Sequence, residues 1–170
     1  MRFVQLQEEI RIELDSMELI VQEIISLRRD LGDREPAIRE KTAAGTFLAE
    51  FYSGIENILK RISIFLNCSP KQGPTWHLEL FSQFCSPLSS SDIPLFDESL
   101  ASALIPYRKF RHVVHHAYGF QLEWNRMKEG IDEIESVFSS FRSRLSRFLD
   151  TIRSKREDRQ SNLPPFKRNP

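Results

Sequence analysis

The sequence predicts an all-α fold, an up-and-down bundle of about five helices. Apolar residues recur three and four positions apart along five segments, and this spacing places them on one face of a helix. No segment alternates apolar and polar residues in the way that a half-buried strand does. Short loops separate the segments, as in antiparallel helix bundles. These three observations favour a helical bundle over any fold built on a sheet.

The first helix is predicted from a seven-residue repeat at the start of the chain. Apolar residues recur every seven positions, at Phe3, Ile10, Met17, Ile24 and Leu31, and three more apolar residues lie between them, at Leu6, Leu14 and Val21. Such a narrow stripe is typical of a long helix that packs along its whole length, and it could also form a seam between two copies. Gly32 is expected to end the helix, and Pro36 lies near the start of the next one.

The second helix is predicted over about 37–68. Its apolar residues alternate three and four apart, at Leu48, Phe51, Ile55, Ile58, Ile62 and Phe65. A loop with two prolines and a glycine, residues 69–74, ends it. A short third helix then carries Trp76, Leu80, Phe81 and Phe84, and a loop rich in proline and serine follows over residues 86–94.

The fourth helix is predicted over about 95–118, with Pro106 as a break or kink and Gly119 as its C-terminal cap. The fifth helix is long, and its apolar residues step four and three apart without interruption, at Met127, Ile131, Ile134, Phe138, Phe141, Leu145, Phe148 and Ile152. The pattern fades after about Lys155, and residues 161–170 contain three prolines. We therefore predict one helical domain over 1–155 and a basic, disordered tail over 156–170.

The composition is that of one globular domain. The chain has 170 residues, of which 40% are hydrophobic, enough to bury a core. Its 24 basic and 24 acidic residues balance, which argues against binding nucleic acid by bulk attraction but allows a local basic patch. From Arg142 onward the chain contains nine basic residues and only three acidic ones. This excess indicates either an RNA-facing arm or a solvated helix end.

The sequence predicts a cytoplasmic protein without a cofactor or a bound metal. Cys68 and Cys85 fit neither a paired-cysteine metal motif nor a redox motif, so we expect reduced, buried thiols. No apolar run approaches the ~18 residues of a membrane span. The N-terminal segment carries Glu8, Glu9 and Glu13 and lacks the apolar core of a signal peptide.

The window 107–118 concentrates cations and imidazoles. Three of the four histidines fall within five residues, at His112, His115 and His116, and three cations accompany them, at Arg108, Lys109 and Arg111. His112 and His116 share a helix face, so an all-histidine metal site is one interpretation. No carboxylate or thiolate lies nearby in sequence, Glu123 being the nearest, and an anion site that transfers protons fits better.

Arginine and histidine together supply what RNA cleavage without a metal needs. Arginine offers a planar, permanently charged fork for phosphate, and histidine can pass a proton near neutral pH. Arg111 and His116 are five residues apart, roughly 140° around an ideal helix, so they do not share a face, whereas Arg111 and Tyr118 nearly do. Either the helix unwinds before Gly119, or the two groups meet across the twofold axis of a dimer.

The residues Arg111, His116 and Tyr118 form the pattern RX4HXY, which resembles the Rx4-6H signature of HEPN ribonucleases. The surrounding run 111–120 resembles the HepT subgroup. Residues 51–62 and 73–80, the latter with the pair Trp76 and His77, are similar to the second and third helices of that subgroup. The resemblance covers about residues 43–148. Arg108 and His115 also satisfy Rx4-6H, and only the HXY spacing selects the other pair.

The resemblance implies a HEPN-like helical bundle that forms a symmetric homodimer. It implies a metal-independent endoribonuclease, the toxin of a type II toxin–antitoxin system, which cleaves an RNA such as tRNA or mRNA. Arg111 would contact phosphate and stabilise charge, His116 would transfer or position a proton, and His112 would be an auxiliary donor. The implied antitoxin is a minimal nucleotidyltransferase, which in such pairs can attach AMP to the motif tyrosine, here Tyr118.

Two other functions stay open at this point. The chain could be a catalytically inactive HEPN module that binds a nucleotidyltransferase or a nucleotide. It could also be a structural coiled-coil protein, although this leaves the histidine cluster unexplained.

Glu56 and His77 lie in the segments that resemble the HepT subgroup, and we assign them structural roles, because nothing in the sequence ties either residue to a reaction.

Overall fold

The computed structural model describes residues 2–70, 73–116 and 121–161, without the side chains of residues 115, 116 and 159–161. This part of the chain contains five helices: α1 (Phe3–Leu31), α2 (Ile38–Leu66), α3 (Trp76–Gln83), α4 (Glu98–His116) and α5 (Trp124–Ser161). Within these ranges there is no strand beyond an isolated bridge between Leu88 and Ser91. The predicted all-α class is confirmed.

α1 packs lengthwise against α2 and α5 through the predicted seven-residue stripe. The buried members of that stripe are Leu6, Ile10, Met17, Val21, Ile24 and Leu31. α1 and α2 approach closely at Gly54, where a Cβ atom would lie 2.6 Å from Cγ of Met17. α1 ends at Gly32, which adopts a φ of +53° and donates its N–H to the carbonyl of Arg29. A positive φ suits glycine, so the predicted stop is confirmed.

The turn between α1 and α2 is held by Glu40 in the first turn of α2. Its carboxylate accepts the backbone N–H of Ala37 at 2.7 Å and pairs with both terminal nitrogens of Arg34 at 2.7 and 2.9 Å. The Arg34 guanidinium, and then the Ala37 N–H, lower the pKa of Glu40 from 4.5 to about 2. A carboxylate in this position satisfies a free N–H at the helix start and complements the helix dipole.

α4 continues through Pro106, so of the predicted break or kink at this residue the break is absent, and the kink stays a prediction. Proline removes one backbone donor from the helix. The turn that follows is nevertheless held by packing, because Tyr107 is buried and its hydroxyl donates to the backbone carbonyl of Gly130 on α5 at 2.7 Å. α4 extends to His116, and residues 117–120, with the predicted cap Gly119, lie outside the described part of the chain.

α5 buries its whole predicted apolar stripe, from Met127 to Ile152, against the other helices. Aromatic rings pack against one another between α2, α4 and α5. The ring centroid of Phe51 on α2 lies 5.2 Å from that of Tyr107 on α4 and 6.0 Å from that of Phe138 on α5. α5 continues to Ser161, which includes the first residues of the predicted tail, and residues 162–170 lie outside the described ranges. The division at 155 therefore stays a prediction.

Both cysteines are free, and both are half-buried, so the expectation of reduced, buried thiols is met only in part. Cys68 and Cys85 follow the ends of the helices α2 and α3. Burial still raises the pKa of each thiol. Among the helices in the described ranges, none combines the length and the apolar character that a membrane span requires.

Candidate functional site

The candidate site forms where α2 packs on α4. α2 carries a second buried stripe beside its main one, at Tyr52, Glu56, Leu59 and Ser63. Three of these four residues are polar, and Glu56 is a carboxylate at a core position, with 1% of its surface exposed. Lys, Glu, Arg and Asp are almost never fully buried unless they are paired. A buried carboxylate therefore directs attention to the cation that faces it.

That cation is Arg111 of α4, the arginine of the RX4HXY pattern. Its Nε donates to Oγ of Ser53 at 3.0 Å, and its Nη2 lies 3.2 Å from Oε2 of Glu56. Ser53 is itself oriented, because its hydroxyl donates to the carbonyl of Ala49 at 2.9 Å. Arg111 keeps 28% of its side chain exposed, whereas the Glu56 side chain keeps 2%. The guanidinium thus bridges the interior and the surface.

Charge rather than hydrogen bonding compensates the Glu56 carboxylate. Neither of its oxygens accepts a regular hydrogen bond from the described residues, and the same is true of the buried hydroxyl of Tyr52. Burial, and then the negative charge of Glu56, raise the pKa of the Tyr52 phenol, while Arg108 and Arg111 act in the opposite direction. This corner of the α2–α4 contact therefore holds a neutral phenol, a carboxylate and a guanidinium close together.

An open cavity of about 530 Å³ borders this ion pair. Its wall combines three cations, two imidazoles and one carboxylate with two apolar side chains, contributed by Glu56, His77, Leu78, Arg108, Lys109, Arg111, His112 and Val113. Cations thus outnumber carboxylates three to one on the wall. The volume falls within the range of small-molecule sites. The chemistry of the wall suits an anion that can accept several charge-assisted hydrogen bonds.

The predicted site residues are brought together only in part. Arg111 and His112 both line the cavity. His116 is the last residue of α4, and its side chain lies outside the described part, as does Tyr118 entirely. α4 is helical from Arg111 to His116. The two backbone positions therefore lie roughly 140° apart around the helix, so the helix does not place both on one face.

The alternative pair has a different geometry. Arg108 and His115 are seven residues apart on α4, and their backbone positions differ by only about 20° around the helix. The guanidinium of Arg108 lies over the ring of Phe81, 4.8 Å from its centroid, while it also lines the cavity. Within one chain, therefore, the helix aligns Arg108 with His115 and separates Arg111 from His116.

Two residues that sequence reasoning treated as structural line the same cavity. His77 reaches it from α3, beside Trp76, whose ring stands edge-on to the imidazole at 5.9 Å between centroids. Glu56 reaches it from α2. The sequence contains one hint for Glu56, a carboxylate among the apolar residues Ile55, Ile58 and Leu59 of α2. No local signal pointed to His77, because apart from Leu78 its neighbours in the cavity come from other helices.

The side-chain clusters in the described ranges include no group of three or more His, Cys, Asp and Glu that could hold a metal. The all-histidine interpretation depends partly on His116, whose side chain lies outside those ranges. The cations of the cavity wall instead favour an anion as its ligand.

The sequence of this chain matches the model of a known protein family. The family model described as HepT-like protein matches residues 43–152, which include α4 and its RX4H segment. The chain belongs to the HepT-like protein family. The match spans α3, α4 and most of α2 and α5, so every residue of the cavity wall lies within the HepT-like region, and α1 lies outside it. HepT-like proteins are HEPN-domain proteins, generally nucleases of toxin–antitoxin modules.

Two further comparisons found no relative for this HepT-like chain. No curated protein matches it, and no solved structure matches it.

Proposed function

We propose that this HepT-like protein is a metal-independent endoribonuclease, the toxin of a type II toxin–antitoxin module, with Arg111 and His116 as its catalytic pair. The observation that supports this most is the cation-lined cavity, on whose wall the motif arginine is held by two contacts from α2. Phosphate is the anion that such a wall would attract in an RNA strand.

The proposed reaction is an internal transesterification of RNA. The ribose 2′-oxygen attacks the adjacent phosphorus, and the bond from phosphorus to the 5′-oxygen of the next nucleotide breaks. The 2′-hydroxyl loses its proton to a base, and an acid protonates the leaving oxygen, so the products are a cyclic phosphate and a 5′-hydroxyl. His116 would transfer or position a proton. Arg111 would stabilise the negative charge on the phosphoryl oxygens in the transition state, with His112 as an auxiliary donor.

A symmetric homodimer completes the proposed site. The backbone positions of Arg111 and His116 lie about 140° apart around one helix. In this proposal a second copy therefore supplies its own arginine and histidine, so that both residue types contact one phosphate. A twofold axis beside α4 would place two arginines and two histidines in one cleft.

The proposed partner is a minimal nucleotidyltransferase antitoxin. Tyr118 would be its target, because it occupies the tyrosine position of the RX4HXY pattern. An AMP group on this tyrosine would be a bulky anion near the cleft, and it would exclude RNA both by its volume and by charge repulsion.

One observation favours a second candidate, a catalytically inactive module that binds a nucleotidyltransferase or a nucleotide. The positive charge of Arg111 is already compensated by Glu56, 3.2 Å away. A guanidinium engaged in this way attracts a phosphate less strongly than a free one. The two candidates differ in turnover, so an activity measurement separates them.

The decisive experiment compares single-histidine variants that differ only in position. The purified protein is incubated with total RNA and with a structured tRNA in EDTA, beside His116→Ala, His112→Ala and His115→Ala, and the 5′ and 3′ ends of the products are determined. We expect cleavage by the wild type, a loss of at least ~100-fold in His116→Ala and near-normal cleavage by His115→Ala. The intact mass of each protein reports any AMP that it carries.

Each outcome has a distinct meaning. Equal cleavage by the wild type and His116→Ala contradicts the proposed catalytic pair, and loss in His115→Ala instead assigns the reaction to Arg108 and His115. A wild type that carries no AMP, cleaves no RNA and captures a nucleotidyltransferase supports the binding module. A wild type that carries AMP is first freed of it and assayed again.

A further inference from the structure

We propose that Glu56 and Ser53 are positioning residues, which hold the guanidinium of Arg111 at the cavity wall in the orientation that an RNA phosphate requires. Neither residue belongs to the RX4HXY pattern. The inference takes its substrate from the proposed function, whereas the positioning itself rests on the geometry of α2 and α4.

The contacts fix the guanidinium at two of its nitrogens. Nε donates to Ser53 at 3.0 Å and Nη2 lies 3.2 Å from Glu56, and both partners belong to a single turn of α2. Ser53 is in turn tied to the backbone through its bond to the Ala49 carbonyl. A guanidinium has five N–H donors in a rigid plane, so two contacts define its orientation without exhausting its donors.

Orientation before binding has a physical benefit. A free arginine side chain loses rotamer entropy when it is ordered, and this cost would otherwise be borne at the moment when phosphate binds. With Glu56 and Ser53 in place, the ordering has already occurred on folding. The exposed quarter of the Arg111 side chain then faces the cavity in one orientation.

The burial of Glu56 argues against a role in packing alone. Its neighbours Ile55 and Leu59 are apolar and fully buried, and an apolar side chain at position 56 would avoid the cost of desolvating a carboxylate. Replacing a buried ion pair with apolar residues is often neutral or stabilising. A carboxylate at this position is costly for the core, and its ion-pair contact is with the arginine that lines the cavity.

The same carboxylate predicts an unusual kinetic signature. It orients Arg111, which raises the rate of the chemical step, and its negative charge on the cavity wall also opposes the approach of phosphate. Glu56→Gln keeps the size and shape of the side chain but removes the charge. We expect kcat to fall about 10- to 100-fold, because misplacement of a catalytic group by ~1 Å can cost this much, and KM to fall about two- to fivefold.

The experiment measures kcat and KM on a short RNA for Glu56→Gln, Glu56→Asp and Ser53→Ala, together with unfolding in urea. Glu56→Asp keeps the charge and should recover part of kcat. Ser53→Ala removes one neutral acceptor and should cost about fivefold in kcat. The matched control is Glu50→Gln, an exposed glutamate on the same helix, which should leave both constants unchanged.

A second measurement reads the position of Arg111 without any reaction. In the nuclear magnetic resonance spectrum of the folded protein, the Nε–Hε signal of Arg111 should be sharp and slow to exchange with solvent in the wild type. It should broaden or vanish in Glu56→Gln and stay unchanged in Glu50→Gln. Because this readout needs no RNA, it decides the positioning even if the wild type proves to have no nuclease activity.

Two results would overturn the inference. One is a Glu56→Gln protein with unchanged kcat, KM and Nε–Hε signal. The other is a loss of kcat that follows the unfolded fraction, with unchanged KM and no recovery in Glu56→Asp, since this is what a purely structural residue would give. A wild type that cleaves no RNA but shows the expected change in the Arg111 signal would refute the nuclease and retain the positioning.

Discussion

Nη2 of Arg111 lies 3.2 Å from Oε2 of Glu56, and this contact joins the motif arginine on α4 to a carboxylate that α2 buries almost completely. The pair is asymmetric, because Arg111 retains contact with solvent while Glu56 does not. Any substitution of Arg111 therefore acts on the proposed chemistry and on the stability of the fold at the same time.

Arg111→Ala should destabilise the protein as well as abolish cleavage. Removing one partner of a buried pair costs ~3–5 kcal/mol, because the other charge is left uncompensated. Since Arg111 is partly exposed, we expect a smaller loss, about 2–3 kcal/mol, in the free energy of unfolding measured with urea.

The double variant Arg111→Ala with Glu56→Gln separates the two effects. It removes the stranded charge, so it should recover at least half of the lost stability and none of the activity. A double variant no more stable than Arg111→Ala would show that Glu56 carries no buried charge that depends on Arg111.

Two helical glycines should respond to alanine in opposite directions. At Gly54 a Cβ would lie 2.6 Å from Met17, which is buried, so Gly54→Ala should cost about 1–3 kcal/mol. At Gly130 the nearest atom, on Tyr107, would be 3.6 Å away, an ordinary contact. Gly130→Ala should then gain about 0.5–1 kcal/mol from helix propensity. Thermal unfolding of the two variants checks the signs, and a stabilising Gly54→Ala would contradict the tight α1–α2 packing.

The stability of the turn before α2 should fall in acid. Glu40 has a folded-state pKa of about 2 against an ordinary 4.5, because Arg34 and Ala37 hold it ionised. A lowered pKa contributes stability that is present above about pH 4.5 and is lost as the pH falls toward 2. Thermal unfolding of Glu40→Gln between pH 6 and pH 2 should accordingly depend less on pH than that of the wild type. Parallel curves for the two proteins would refute the assignment.

The protein should lose stability in alkali as its two buried tyrosines, Tyr52 and Tyr107, ionise. At pH 7 the two Tyr→Phe substitutions should have different effects on stability. Burial raises the folded-state pKa of both Tyr52 and Tyr107 above 10, so the stability that each contributes is complete below pH 10 and declines above it. Tyr107→Phe loses the hydrogen bond to Gly130 and should cost about 1 kcal/mol at pH 7. Tyr52→Phe removes a hydroxyl with no partner in the described chain and should be neutral or stabilising there. Equal losses at pH 7 would contradict this difference.

The cation Lys109 should contribute to RNA affinity rather than to the chemical step. It is exposed and lines the cavity, so it can contact a phosphate without bonds to the interior. In fluorescence anisotropy with single-stranded RNA, Lys109→Gln should weaken binding and flatten the dependence of log K on log salt by about 0.7. Lys128→Gln, an exposed lysine on α5, is the control. A salt dependence unchanged by Lys109→Gln would place the RNA elsewhere.

The helices were predictable because amphipathic periodicity is a local property. The stripes of α1 and α5 were predicted residue by residue; the whole α5 stripe is buried, and so is the α1 stripe apart from the partly buried Phe3 and Leu14. Local propensity at Pro106 predicted a break or a kink; the break is absent, because the contact of Tyr107 with Gly130 stabilises the next turn. The prediction did not assign Glu56 and His77 to the site, because nearly all of their neighbours in the cavity lie on other helices.

The sequence by itself determined the helical class, the limits of the stripes and the RX4HXY segment, since each of these depends on residues within a few turns of one another. The tertiary structure decided which side chains meet Arg111. Ser53 and Arg111 are 58 residues apart, and their contact exists only because α2 and α4 pack together with Glu56 facing inward. A buried charge such as that of Glu56 needs an opposite charge beside it. No local sequence pattern gives the distance between α2 and α4, because the chain connects them through α3.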